Sequence, residues 1–149
     1  MTALIKRLDQ AFKDALKGRQ AGALTALRLL RTAIRLREVE CKRQLSEAEI
    51  QAVINTQAKQ RREAMTEYLK AHRPDLAQKE EEELDVLLSF LPPQLSPEEL
   101  DAEITDILAQ VGATSPKDLG KVMKAAMTRL SGRVDGKLVQ EVVRGRLGA

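Results

Sequence analysis

Leu91-Pro92-Pro93-Gln94-Leu95-Ser96-Pro97 divides this 149-residue chain into two parts. Each proline fixes its own φ and disfavours helix in the residue before it, so a continuous helix cannot run through this stretch. Apolar residues recur at helical spacing on both sides of it. The pattern predicts a larger amino-terminal helical subdomain over residues 1–92, a proline-rich linker over residues 93–97, and a small three-helix subdomain over residues 98–149.

The composition predicts an all-α fold. Aromatic residues make up 2% of the chain and charged residues 32%, and the abundant Ala, Leu, Glu, Lys, Arg and Gln are good helix formers. No stretch approaches the roughly 20 apolar residues that span a bilayer, and the amino terminus does not resemble a signal peptide. A single cysteine, Cys41, fits a reducing compartment. We therefore expect a cytoplasmic protein with no membrane partner.

Four helices are predicted before the proline stretch. Their limits are indicated by Gly18 after the first, by Ala21 and Lys42 around the second, by a Ser46–Glu49 capping box at the start of the third, and by Pro74 at the start of the fourth. The middle of the third, Lys59-Gln60-Arg61-Arg62, is weakly apolar, which predicts looser packing there. The run Glu80-Glu81-Glu82-Glu83 is interpreted as a solvated face of the fourth helix rather than a metal site.

The second helix combines an apolar face with a row of cations. At 100° per residue, its basic row occupies an arc of roughly 60°, and the members of this basic row are Arg28, Arg31, Arg35 and Lys42. Beside it lies an apolar face that contains Leu27, Leu30, Ile34 and Cys41. Cys41 is therefore interpreted as a small core residue and not as a nucleophile.

Charge is strongly segregated along the chain. Residues 1–73 carry 16 Lys and Arg against 8 Asp and Glu, residues 74–113 carry 1 against 11, and residues 114–149 carry 8 against 3. The basic parts suit an anionic partner, which the acidic part would repel. The alternative is that the three parts neutralise one another within the molecule.

Three shorter helices are predicted after the proline stretch. Their starts are marked by Ser96, Ser115 and a position near Asp135, and Gly112 ends the first of them. The predicted core positions of the last helix are Leu138, Val139, Val142 and Val143.

The sequence contains no recognisable catalytic constellation. His72 is the only histidine and Cys41 has no evident partner base. Gly120-Lys121 and Gly136-Lys137 do not form a Walker A loop, because the spacing, the following hydroxyl residue and the preceding strand are all missing. We therefore expect no catalytic residue, no metal and no cofactor in this chain.

Cations are concentrated in the carboxy-terminal part, where six of the eight glycines also lie. We predict a nucleic-acid-binding surface made by Lys117, Lys121, Lys124, Arg129, Arg133 and Lys137. We expect the partner to approach the backbone closely at Gly120, Gly132 and Gly136. A valine in place of Gly132 or Gly136 is expected to force an unfavourable φ. Helix starts at Ser115 and Asp135 are expected to add amide donors for phosphate.

Few aromatic residues are available for base stacking, so folded RNA is a better fit than a single strand, and DNA is not expected as a partner. The alternative is that these cations only solvate amphipathic helices.

Five segments resemble the YqeY family: TALRLL at residues 25–30, KQRREA at 59–64, LSFLPPQL at 88–95, GATSPKDLGKVM at 112–123 and GRVDGK at 132–137. That family is similar to the carboxy-terminal region of GatB, a subunit of the tRNA-dependent amidotransferase. The resemblance runs from about residue 4 to 147 and implies an all-helical fold. In GatB the equivalent tail docks on tRNA, and a separate domain performs transamidation.

Three functions follow as hypotheses. The first is a non-catalytic tRNA-binding module, with the amidotransferase or other translation proteins as further candidate partners. The second is an adaptor for translation factors, which would use the basic row of the second helix or the acidic fourth helix. The third, a carbon–nitrogen ligase that uses glutamine as amido donor, is disfavoured because this chain has no counterpart of the catalytic domain.

Overall fold

The chain folds into helices alone. The computed structural model describes residues 2–148, and within them there are seven α-helices and no strand, which confirms the all-α prediction. The helices are α1 Ala3–Lys17, α2 Ala21–Cys41, α3 Glu47–Lys70, α4 Pro74–Leu88, α5 Pro97–Val111, α6 Leu119–Leu130 and α7 Gly136–Leu147. A single 3₁₀ turn, Pro116–Asp118, precedes α6.

Contacts within the chain separate it into two compact units, Met1–Pro92 and Pro93–Ala149. The first contains α1 to α4, and the second contains α5 to α7. Pro97, which the sequence assigned to the linker, is the first residue of α5. This position suits proline, because the first helical residue has no intrahelical use for its N–H group.

The amino-terminal unit packs aliphatic faces of its helices around one core. The capping box at α3 forms as the sequence predicted: Glu49 N–H donates to Ser46 Oγ at 3.2 Å, and Ser46 N–H donates to Glu49 Oε1 at 3.1 Å. The buried core consists of Leu4, Leu8, Ala15, Leu27, Leu30, Ile34, Leu45, Ile50, Ile54, Leu87, Phe90 and Leu91. Cys41 packs partly buried against this core.

Three charged side chains of α3 and α4 form a cluster that is largely shielded from solvent. Arg61 Nη1 lies 3.2 Å from Glu80 Oε2 and 3.1 Å from Glu83 Oε2. The three side chains are only 17%, 15% and 12% exposed, respectively. Burial, together with the charge of Glu80, raises the pKa of the Glu83 carboxyl above its ordinary value. Arg61 therefore balances two carboxylates in a setting where an unpaired charge is costly.

Two predictions about this helix pair are wrong. The middle of α3 is not loosely packed, because Ala58 is completely buried and α3 with α4 forms the most extensive helix pair of the fold. The acidic run is not wholly solvated either. Glu80 and Glu83 are three residues apart and share the face of α4 that meets Arg61, whereas Glu81 and Glu82 are exposed.

The carboxy-terminal unit is a three-helix core closed by the chain that enters it. Leu95 N–H donates to the Arg133 carbonyl oxygen at 2.9 Å, and Gln94 Nε2 donates to the Gly132 carbonyl oxygen at 2.8 Å. The core contains Leu100, Ile104, Ile107, Val122, Ala126, Leu130, Val134, Val139, Val143 and Leu147. These bonds attach the start of the unit to the turn between α6 and α7.

One predicted core position in α7 is wrong. Leu138 is 42% exposed, whereas Val139, Val143 and Leu147 are buried at intervals of four residues. The sequence also predicted Val142, which is partly buried. The buried residues of α7, which are four positions apart, therefore begin at Val139, one residue after Leu138.

We expect Arg61→Ala to lower the free energy of unfolding by about 2 kcal/mol at pH 7, because it leaves two poorly solvated carboxylates without their counterion. The loss should shrink as the pH falls towards about 4, since burial raises the pKa of Glu83 and, without Arg61, this carboxylate protonates in the folded protein before it does in the unfolded chain. Urea unfolding at several pH values measures this. The matched control is Arg62→Ala at the exposed neighbouring position, and equal losses from the two variants would contradict the assignment.

Candidate nucleic-acid interface

The face of α6 that points away from the core carries two free cations. Val122, Ala126 and Leu130 are completely buried, which fixes the rotation of the helix. At 100° per residue, Lys121 and Lys124 fall on the opposite side, and both side chains are exposed. Neither lysine makes a salt bridge within residues 2–148. Both ammonium groups are therefore available to an anion.

Two further predicted lysines lie on elements that pack against α6. Lys117 is exposed in the 3₁₀ turn, and Lys137 is exposed in the first turn of α7. The 3₁₀ turn and α7 each pack against α6. The structure thus gathers Lys117, Lys121, Lys124 and Lys137 on three mutually packed elements. We call these four lysines, together with the exposed Arg144 of α7, the α6 cationic surface.

Arg129 is occupied by carboxylates of its own unit. Its Nε lies 2.8 Å from Glu103 Oε2, and its Nη1 lies 2.7 Å from Asp106 Oδ2. The hydrogen bond to Asp106 raises the pKa of the Arg129 guanidinium. Arg129 therefore joins α6 to α5, and a phosphate would have to compete with two carboxylates for it.

Arg133 lies in the turn between α6 and α7 and is half-buried. Its carbonyl oxygen accepts the N–H of Leu95. Hydrogen bonds from Ser96 lower the pKa of the Glu99 carboxyl, and the charge of Arg133 adds a smaller effect in the same direction. Arg133 consequently has a structural role in the turn besides any contact with a ligand.

Some backbone amides at the two predicted helix starts are already bonded within the protein. Asp118 Oδ2 accepts the N–H groups of Thr114 at 3.0 Å and Ser115 at 3.3 Å, and these bonds lower the pKa of the Asp118 carboxyl. Asp135 Oδ1 accepts the N–H of Lys137 at 3.2 Å. These three amides are therefore taken by the unit's own aspartates and are not available to an external anion.

The three predicted glycines differ in what they require. Gly132 is buried and has a φ of +78°, a left-handed conformation that favours glycine. Gly136 and Gly120 are both helical and have no positive φ, so the expected backbone strain at Gly136 was wrong. A Cβ added at Gly120 would meet no atom within 4 Å, whereas one at Gly136 would meet the flexible end of Met127 at 3.4 Å. Gly120 therefore presents open space beside its backbone.

Sequence reasoning overlooked two arginines of α7. Arg144 is exposed and lies seven residues after Lys137, on nearly the same side of the helix. Arg146 Nη2 donates to Thr105 Oγ1 at 2.8 Å and so contacts α5. The seven-residue spacing from Lys137 was the available signal for Arg144. Glu141 also lies between Lys137 and Arg144, so the face of α7 is mixed in charge where that of α6 is not.

Within the described chain, no three His, Cys, Asp or Glu side chains are grouped so that they could hold a metal ion. None of the helices between residues 2 and 148 has the length and apolar character that crossing a membrane requires.

The fold and this surface define a class: small helical proteins with a cationic face on a three-helix carboxy-terminal unit. The Yqey-like protein family matches residues 5–147. The chain therefore belongs to the YqeY family, which confirms the resemblance seen in the sequence.

Several fungal proteins are similar to this chain, and the three described next are named altered inheritance of mitochondria protein 41, mitochondrial. The relative from Lachancea thermotolerans is 25% identical over 75% of this chain and 62% of its own length. The relative from Vanderwaltozyma polyspora is 28% identical over 75% of this chain and 64% of its own. The relative from Candida glabrata is 28% identical over 95% of this chain and 80% of its own length. The matches thus span less than two thirds of the first two relatives.

We expect Gly132→Ala to lower the free energy of unfolding by about 1–2 kcal/mol, since an L-residue is strained at this positive φ. Gly136→Ala is the matched control and should change it by less than about 0.5 kcal/mol, because the backbone is helical and Met127 can move. Thermal or urea unfolding of the full chain measures both. Equal destabilisation by the two variants would contradict the difference in backbone conformation.

Proposed function

We propose that this protein is a non-catalytic RNA-binding module that holds folded tRNA through the α6 cationic surface. One observation carries the proposal: Lys121 and Lys124 are exposed on a helix face without salt bridges, while the nearby Arg129 is already paired. Two exposed ammonium groups on one helix face suit a phosphate backbone, which carries a negative charge at every nucleotide. Lys117, Lys137 and Arg144 extend the same surface.

The carboxy-terminal unit lacks aromatic residues, which favours recognition of the shape of folded RNA over recognition of unpaired bases. Residues 93–149 contain no Phe, Tyr or Trp, so no aromatic ring is available there for base stacking. The interactions open to such a surface are with phosphates and ribose hydroxyls, which are the groups that a folded RNA helix displays.

The choice of tRNA rests on the resemblance to the GatB tail, which docks on tRNA. We propose that any amidation in which this protein takes part is performed by a partner, with the amidotransferase or another translation protein in that role. Cytoplasmic localisation stays a prediction, because the similar fungal proteins are named as mitochondrial.

We expect Lys121→Gln with Lys124→Gln to weaken binding of total tRNA and to reduce the salt slope, d log K/d log [salt], by about two, because each lysine would neutralise one phosphate. Fluorescence anisotropy of labelled tRNA over a range of salt concentrations measures both quantities. The helix should stay folded, since both side chains lie outside the core.

A matched control removes the same charge elsewhere. Arg37→Gln with Lys70→Gln neutralises two exposed cations of α2 and α3 and should leave the salt slope unchanged. If the parent does not bind tRNA at low salt, the proposal fails. It fails equally if Arg31→Gln with Arg35→Gln abolishes binding while the α6 variant binds like the parent, because the site would then lie on α2.

A further inference from the structure

The outward face of α2 carries an apolar seam that no described residue covers. Its members repeat at alternating intervals of four and three residues, and we call them the outer seam: Thr25, Leu29, Thr32, Leu36 and Val39. Leu29 is 42% exposed, Leu36 is 61% and Val39 is 69%. This alternation is the heptad spacing of a helix that packs along another helix. The inward face of the same helix is separate, since Leu27, Leu30 and Ile34 are buried in the core.

Charges border the outer seam asymmetrically. With Leu29 and Leu36 at heptad position a, Arg28 and Arg35 occupy successive g positions. Lys42 is the residue that caps α2 in a left-handed conformation, and it lines a cavity together with Arg35 and Val39. Arg31 and Arg28 both lie over the Phe12 ring, with guanidinium carbons 4.4 Å and 6.0 Å from its centre. On the other border is a groove between α2 and α3 with a volume of about 440 Å³, lined in part by Ala33, Leu36 and Val53.

We propose that the outer seam is a docking site for an amphipathic helix of a partner protein whose flank is acidic. The helix would lie along α2, with its apolar side chains on Leu29, Leu36 and Val39 and its carboxylates opposite Arg28, Arg35 and Lys42. From Thr25 to Val39 the seam is about 21 Å long at 1.5 Å per residue, which fits a partner helix of four turns. This inference concerns α2 and does not rest on the proposed tRNA binding.

A second copy of this chain is a poorer occupant on charge grounds. An antiparallel pair of α2 helices would place the g-position cations of both copies against each other. A parallel pair would gain one attraction for each copy, between Arg35 and Glu40 of the other helix. A partner with carboxylates at the facing positions satisfies all three cations. A phosphate backbone would also satisfy them, but it would leave the exposed leucines of the seam uncovered.

The experiment uses a labelled synthetic peptide of about three heptads with Leu along one face and Glu on both flanks. A second peptide has Lys in place of every Glu. Fluorescence anisotropy with the full chain should show binding of the Glu peptide and at least about tenfold weaker binding of the Lys peptide. Arg35→Glu should narrow or reverse that preference, because one of the three facing charges changes sign.

Leu36→Ser should raise the dissociation constant of the Glu peptide about tenfold, as expected for an anchor at the centre of an interface. Leu69→Ser is the matched control, since Leu69 is 56% exposed on α3 and lies away from the seam. Circular dichroism melts confirm that each variant is folded. Equal binding of the two peptides, or an equal effect of the two serine variants, would overturn the proposal.

Two other outcomes would also overturn it. If sedimentation shows a dimer of the parent that Leu36→Ser dissociates, the occupant of the seam is a second copy. If Leu36→Ser abolishes tRNA binding, the seam belongs to a nucleic-acid surface. By contrast, loss of tRNA binding in Lys121→Gln with Lys124→Gln, with peptide binding retained, would separate the two surfaces as proposed.

Discussion

Burial of one aliphatic stripe determines how the carboxy-terminal unit presents its charges. Val122, Ala126 and Leu130 of α6 have no exposed surface, and burying aliphatic side chains of this size contributes roughly 1.5–3 kcal/mol for each large one. A helix held by such a stripe cannot rotate about its axis without exposing it. Lys121 and Lys124 must then face solvent, so the proposed binding face is a direct consequence of the core.

The charge segregation of the sequence is partly resolved inside each unit. The acidic stretch supplies partners to two arginines: Glu80 and Glu83 of α4 hold Arg61, and carboxylates of α5 hold Arg129. The neutralisation that the sequence allowed therefore does occur at these two positions. Among the cations without a salt bridge in the described chain, Lys121 and Lys124 share one face of α6, and Arg28 and Arg35 share one face of α2.

Structural features that depend only on residues close together in the chain, such as helix starts, could be predicted from the sequence. The capping box at Ser46 and the first-turn prolines Pro74 and Pro97 act through neighbouring backbone groups, and they mark helix starts in the structure. The family resemblance was readable for the same reason, since it rests on short segments in a fixed order.

Features that depend on which helices meet were not readable. Glu103 and Asp106 share a face of α5, but nothing in their spacing says that the face meets Arg129. The inward side of α7 could not be placed to within one residue, which is why Leu138 was misassigned. Helix starts at Ser115 and near Asp135 were predicted, but the hydrogen bonds in the structure were needed to show that Asp118 and Asp135 accept three of the backbone amides there.

The most direct test of the central claim is an NMR titration of the isotope-labelled full chain with total tRNA at low salt. The account predicts that the backbone amide signals of α6 around Lys121 and Lys124 shift or broaden first, followed by those near Lys117 and Lys137. The signals of the buried α3–α4 pair should change least. Changes confined to α2, or a spectrum that tRNA leaves unchanged, would contradict the claim that the α6 cationic surface binds folded RNA.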